Sequence, residues 1–410
     1  MQRRMFLRML GWAAIGFGIE GLLNRGIGKM AYRDGETTNE TITLFLSGDV
    51  MTGRGIDQIL PYPSRPGIYE SYLKSARDYV AIAEEKSGPI PRQAPFNYIW
   101  GDALIELKLL APDFRIINLE TAITSSESYW PFKGINYRMH PQNTPCLSVA
   151  EIDACVLANN HVIDWGYEGL AETLSTLKNH GIGYVGAGAD SAQAETPLIL
   201  DIPSKGRVLL YAYGHRSSGV PSAWRADVKR PGIALLESLN NSAISRIAAD
   251  ISARKQQGDL VVFSIHWGGN WGYEIPSEQR RFAHGLIDEA GVNIVHGHSS
   301  HHPKGIELYH GAPIFYGCGD FLNDYEGIGR YNEFRDDLTL AYFVTLNPST
   351  GCVSRVAMTP LQIHKFRLQY PSQQDQQWLQ KTMLRECSYL ETAVTGLEDG
   401  RFKLEVGSDA

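Results

Sequence analysis

Cysteine is sparse in this 410-residue chain and shows no pattern. The five residues, Cys146, Cys155, Cys318, Cys352 and Cys387, are odd in number and widely scattered. That excludes a disulfide framework and the paired spacing of a thiolate zinc site. Cys155 and Cys318 lie in apolar strand-like runs, where buried thiols belong. Positive charge is also short: a formal net charge of −7 argues against a general nucleic-acid binder. No repeat or low-complexity tract stands out. What is present, 43% hydrophobic and 20% charged residues, allows a sizeable globular core. The length suits two or three domains, or one large α/β domain with additions.

The N-terminus reads as separate from the fold. Arg3 and Arg4 precede Phe6-Leu7, and a weakly hydrophobic run follows from Gly11 to Ile19. That run is too short for a membrane span, which takes about 20 apolar residues. A basic start before a short apolar region resembles a twin-arginine export signal. Glu20 interrupts the run, and the alternative is a basic tail on an intracellular protein. Residues 1–40 are therefore expected to be an export signal or anchor with a linker, residues 41–340 the main domain, and residues 341–410 a C-terminal extension packing on it.

From Ile42 to about Tyr316, apolar strand-like runs alternate with amphipathic stretches, the pattern of an α/β fold. Tyr167, Leu170, Leu174 and Leu177 recur at helical spacing, and Gly181 supplies a stop. Ser277 is placed to cap a helix whose apolar face uses Phe282, Leu286 and Ile287. Hairpins are predicted for Leu198–Ile202 with Arg207–Tyr213 and for Ile306–His310 with Ile314–Gly317. The proline-rich stretch from Pro61 to Pro95 reads as a loop or insertion near the site. Strands over Leu340–Leu346 and Val353–Ile363 and a helix around Gln374–Tyr389 complete the chain.

Five apolar strands end in residues able to ligate a metal. They lead to Asp49, to Asn118 and Glu120, to Asn159-Asn160-His161, to His266, and to His296, His298 and His301. Ligands of open α/β sheets collect outside the carboxyl ends of the strands. One such residue is an ordinary turn or cap; five carrying Asp, Glu, Asn and His point to one metal site. Imidazole with carboxylate suits zinc, manganese, iron or nickel. His298 and His301 are spaced to face one cation or two adjacent ones. Strand alternation is taken to turn His296 away from the mouth, leaving His302 as a supporting group or substrate contact. Asn160 offers a neutral oxygen, and His161, oriented by Asp164, is then free to act as a general acid. Glu120 has two oxygens with which to bridge a pair of metals. The tryptophans after His266 either wall a cleft or serve as packing.

Taken in order, these segments resemble the CapA family of poly-γ-glutamate (capsule) synthesis proteins, within the calcineurin-like metallophosphoesterase superfamily. The resemblance spans roughly Thr43 to Asp337. It rests on Ser47-Gly48-Asp49-Val50-Met51, Asn118-Leu119-Glu120, Asn159-Asn160-His161 with Asp164, His266-Trp267-Gly268, Gly297-His298-Ser299-Ser300-His301 and Tyr316-Gly317-Cys318-Gly319-Asp320-Phe321. It implies a four-layer αββα sandwich of metallophosphoesterase type, with one or two divalent ions (manganese, zinc or iron) at the strand ends. By the same resemblance, Asp49 and His301 are ligands of a first metal, Glu120 a bridge, and Asn160, His266 and His298 ligands of a second. His161 is the general acid, and a metal-bound hydroxide the nucleophile. Met51 stands where the superfamily usually has a histidine, and Asp320 where CapA relatives usually carry asparagine. Arg138 and Arg216, with Lys133, either meet a carboxylate or phosphate or anchor loops. The expected function is that of an exported metal-dependent hydrolase of the cell envelope or periplasm, acting on a polymer such as poly-γ-glutamate or on a phosphoester. The alternative is a non-catalytic part of a membrane-associated synthesis and export complex.

Overall fold

Two β-sheets lie face to face, and the reason is in the strand patterns. In the strand Ile42–Val50, Ile42, Leu44 and Leu46 point one way and Phe45 the other, and all four are fully buried. A strand that is apolar on both sides must be covered on both sides. The computed structural model describes residues 41–328, 331 and 333–406, which belong to one compact unit. The expected export segment over residues 1–40 lies outside the described residues. No helix among the described residues is long and apolar enough to cross a membrane.

In the first sheet, Ile42–Val50 runs parallel to Phe114–Leu119, which is followed outward by Ala154–Val156 and Gly183–Val185. On its other side Ile42–Val50 pairs antiparallel with Leu338–Leu346, and Val353–His364, Phe402–Leu404 and Val394–Gly396 continue the sheet. The segment after residue 337 thus hydrogen-bonds directly to the first strand of the fold. In the second sheet, Gly206–His215, Leu260–His266, Ile294–His298 and Ala312–Phe315 run parallel in that order. Both predicted hairpins form: Leu198–Ile202 pairs with Gly206–His215, and Ile306–Tyr309 with Ala312–Phe315.

The sheets meet through Phe315 and Tyr342, whose ring centroids are 5.1 Å apart, and through His296 Nε2, 2.8 Å from the carbonyl oxygen of Ser47. Helices Asn241–Arg254 and Ser277–Ala290 cover the outer face of the second sheet, placing Ile244, Ile247 and Phe282 against Tyr211 and Phe263. Helices Ala103–Leu110, Pro145–Ser148 and Gly166–Asn179 bury Leu107, Cys146 and Leu170 in the cluster that contains the first sheet. Each such fully buried aliphatic side chain contributes about 1.5–3 kcal/mol. The expected αββα sandwich is the observed architecture.

Two local readings differ from the sequence expectation. The stretch Pro61–Pro95 contains a helix, Ala76–Ser87, opened by a capping box between Ser75 and Asp78. The proline content on either side masks that signal. The helix expected to be capped by Ser277 starts at that residue, with Pro276 before it. All five cysteines are free, as their spacing implied, and Cys155 and Cys318 are buried.

Candidate metal centre

The carboxyl ends of the parallel strands in both sheets converge. Asp49 is the penultimate residue of its strand, Glu120 follows the strand Phe114–Leu119, and His266 and His298 close neighbouring strands in register. Ligand atoms of Asp49, His266 and His298 lie within 4.8 Å of one another, and all three residues are fully buried. His266 Nδ1 and His298 Nδ1 are 2.8 Å apart, and His298 Nδ1 is 3.9 Å from Asp49 Oδ1. Asn160 Oδ1 is 3.0 Å from His266 Nε2, and Glu120 Oε1 is 3.9 Å from that same nitrogen.

The remaining expected ligand, His301, joins through a different partner. Its Nδ1 is 2.9 Å from Asp320 Oδ1, and its Nε2 is 2.9 Å from Asn270 Nδ2. Asp320 is brought there because residues 320–322 form a short strand in register with Asp49. That crossing is close: a Cβ at Gly48 would lie 1.7 Å from the carbonyl oxygen of Gly319, so only glycine fits. Between His298 and His301 the backbone turns at Ser299, whose φ of 105° is strained for a side-chain-bearing residue. Ser299 N donates to Asp49 Oδ2 at 3.1 Å, tying the turn to the carboxylate.

Burial sets the electrostatics. Desolvation, and then Asp320, push Asp49 up to about 7. Glu120 is raised well above the ordinary carboxylate range by burial and then by Asp49. His266 and His298 are held well below the usual imidazole value, by burial first and neighbouring histidines second. At His301, burial opposes protonation but Asp320 outweighs it, and the net direction is upward. Glu120 Oε2 is sealed from solvent without a hydrogen-bond donor among the described residues.

These features fit a divalent cation. Two imidazoles and carboxylate oxygens form an N/O donor set without thiolate. Burial and like-charge crowding raise both Asp49 and Glu120, and an ion would supply a close counter-charge. Asp49, His266 and His298 would hold it, with Glu120 and Asn160 adjoining.

The expected acid is beside this cluster. His161 Nδ1 is 2.6 Å from Asp164 Oδ2, while its Nε2 faces Glu120 Oε1 at 3.7 Å. Lys133, considered from sequence as an anion contact, lies instead 2.9 Å from His161 Nδ1 and 2.7 Å from Asp164 Oδ1. Burial, opposed by Asp164 and reinforced by Lys133, lowers His161 to about 4.

The two arginines are not part of the cluster. Arg138 donates to the carbonyl of Ser126 at 2.6 Å and to that of Arg65 at 3.1 Å, and its guanidinium lies over Trp165. Arg216 is exposed in the turn Arg216–Ser218, and it is Gly219, which ends that turn, that lies near Asn160. His296 corrects the alternation reading: positions two apart share a strand face, so it points the same way as His298. Instead of leaving the site, it lies beneath it, against Ser264. His302 is buried and stacks on Phe334. Ser264 was not singled out as a ligand support, its signal being the two-residue spacing from His266, whereas Asn118 was expected at the strand end on the same face as Glu120. Asn118 Nδ2 donates to Asp49 Oδ1 at 2.6 Å.

A cleft of about 710 Å³ opens beside His301, walled by Arg54, Tyr72, Ile135, Trp271 and Tyr325. Trp271 therefore walls a cleft, whereas Trp267 is buried packing against Tyr316. Another cavity of about 700 Å³, containing Tyr213, Arg225 and Arg246, includes none of the site residues.

The family model described as bacterial capsule synthesis protein PGA_cap matches residues 43–325, which include every ligand candidate. A probable polyglutamine synthesis accessory protein of Mycobacterium tuberculosis is 44% identical over 347 residues, covering 84% of this chain and 91% of the relative. The PGA biosynthesis protein CapA of Bacillus subtilis is 25% identical over 372 residues, covering 90% and 83% respectively. A solved structure titled as a novel phosphatase from Mycoplasma pneumoniae aligns with a TM-score of 0.43 at 12% identity, over 81% of this chain and 95% of that one. By the family match and the mycobacterial relative, the chain belongs to the CapA-type bacterial capsule synthesis family, PGA_cap.

Proposed function

We propose that this protein is an exported, divalent-metal-dependent hydrolase of the cell envelope, acting on a capsule-type polymer such as poly-γ-glutamate or on a phosphoester. The observation in its favour is that His161 Nε2 faces Glu120 at the edge of the Asp49, His266 and His298 cluster, while Asp164 holds the opposite ring nitrogen. A bound zinc, manganese or iron ion would supply Lewis acidity toward a carbonyl or phosphoryl oxygen. Around it the chain's own groups have distinct tasks. Asp164 accepts the Nδ1 proton of His161, leaving Nε2 as the atom that takes up a proton and passes it to a leaving group. Burial keeps His161 neutral at rest, so the proton must arrive with substrate or water. Trp271, Tyr72 and Tyr325 shield the approach from bulk water. Arg3 and Arg4 support export, and a retained N-terminus would place the protein at a membrane-associated synthesis complex.

The word accessory in the name of the mycobacterial relative favours a second reading, a non-catalytic component of polymer synthesis and export. Elemental analysis of protein purified without chelators, together with assays on aryl phosphates, phosphodiesters and γ-glutamyl oligomers, separates the two. Hydrolysis that His161→Ala abolishes, with bound metal nearly unchanged, is the expected result. Metal-loaded wild-type protein inert on all three substrate types would favour the accessory reading, and a folded sample without any metal would end the catalytic one.

A further inference from the structure

Four side chains form a square on the inner face of the second sheet. Ser264 and His266 belong to one strand, His296 and His298 to the next, with Ser264 paired to His296 and His266 to His298. All four are fully buried. Their hydrogen bonds can be directed from one fixed end. The carbonyl oxygen of Ser47, 2.8 Å from His296 Nε2, can only accept, so that nitrogen carries the proton. Among the described residues the hydrogen-bond partners of His296 are Ser47 and Ser264, neither a carboxylate, and as a neutral ring its Nδ1 must accept. Ser264 Oγ, 3.0 Å away, gives its single proton to that nitrogen; the carbonyl of His296 at 3.4 Å is a longer alternative. With its proton used, Ser264 Oγ can only accept from His298 Nε2, 2.9 Å distant. His298 is then left with its lone pair on Nδ1, the atom that faces His266 Nδ1 and Asp49.

We propose that the Ser47 carbonyl, His296 and Ser264 form a tautomer-setting chain that fixes His298 with Nδ1 open to a divalent cation. Ser264 and His296 are positioning residues, acting through His298. The proposal rests on the reading of the site as a metal centre, but the tautomer itself exists without metal. A histidine ligand whose tautomer is preset binds without first moving a proton, and outer partners of this kind are worth about 10–100-fold in metal affinity.

The test uses the full chain with zinc as the probe. Zinc affinity is measured by competition with a chromophoric chelator for wild type, Ser264→Ala and Ser264→Thr. In parallel, ¹⁵N spectra of histidine-labelled, metal-free protein report which ring nitrogen of His298 is protonated. Wild type is expected to show His298 protonated at Nε2. Ser264→Ala is expected to mix the two tautomers and weaken zinc binding about 10–100-fold, while Ser264→Thr, which keeps the hydroxyl, restores both readouts. If Ser264→Ala binds zinc within about twofold of wild type with an unchanged His298 spectrum, or if wild-type His298 is protonated at Nδ1, the chain is not a tautomer setter. Should wild type bind no zinc, the metal-centre reading falls, and the metal-free spectrum still decides the tautomer. Should Ser264→Thr fail to fold, the wild-type and Ser264→Ala spectra decide.

Discussion

Lys133 reaches into the site from a loop and sets its ammonium 2.9 Å from His161 Nδ1, on the nitrogen that also faces Asp164. That nitrogen can donate its hydrogen to Asp164 or accept one from the ammonium, but not both, so the carboxylate and the amine compete for it. Burial, and then the lysine charge, oppose a second proton on the ring, while Asp164 favours it.

Lys133→Met should therefore shift His161 upward from about 4 towards its ordinary value, because the opposing charge is removed while Asp164 stays. An NMR titration of the His161 ring checks this. A His161 that titrates unchanged would show that burial alone sets it.

Metal should stabilise the fold more as pH rises. Asp49 titrates at about 7 in the fold against 3.8 ordinarily, so its protonated form favours the metal-free fold. That contribution is complete below the unfolded value and is lost as pH climbs through the folded one. A divalent ion needs the carboxylate and gains as the proton leaves. The thermal shift caused by saturating zinc should be larger at about pH 8 than at about pH 5.5, by on the order of a few degrees. Equal shifts would separate Asp49 from the ion.

Gly48→Ala should be costly although it adds one methyl group. Its Cβ would meet the carbonyl oxygen of Gly319 at 1.7 Å, and backbone on both sides leaves no flexible group to yield. A loss of about 3 kcal/mol by urea unfolding, with weaker zinc binding, is expected because Asp49 is the next residue. Unaltered stability would mean the two strands separate easily.

Arg54→Met tests the wall of the cleft. The buried guanidinium makes ion pairs of 2.5 Å to Asp324 and 2.9 Å to Glu70 and lies over the ring of Tyr79. Methionine would leave both carboxylates buried without their cation, at a cost of about 3–5 kcal/mol. Calorimetry should show the drop, and addition of Asp324→Asn should recover part of it.

Much of the fold is legible in the order of the residues. The strands could be read because Leu44, Leu46 and their counterparts are apolar runs of strand length, and the helix at Gly166–Asn179 because Leu170, Leu174 and Leu177 keep its period. The helix Ala76–Ser87 was hidden by nearby prolines. The strand-end residues were legible as candidates because parallel strands must present their carboxyl ends together. Lys133 was not legible as a partner of His161, since 28 residues separate them and no local rule links them.

Residue order alone determined which side chains could be metal ligands and that they stood at strand ends, because those properties are local. Only the tertiary structure decided that Asp320 lies in register with Asp49, that His301 turns to it, and that Arg138 spends its hydrogen bonds on loop carbonyls. The physical reason is that burial and like-charge crowding depend on which strands cross. Here the approach of Gly48 to Gly319 stitches one sheet to the segment leaving the other and brings the carboxylates together.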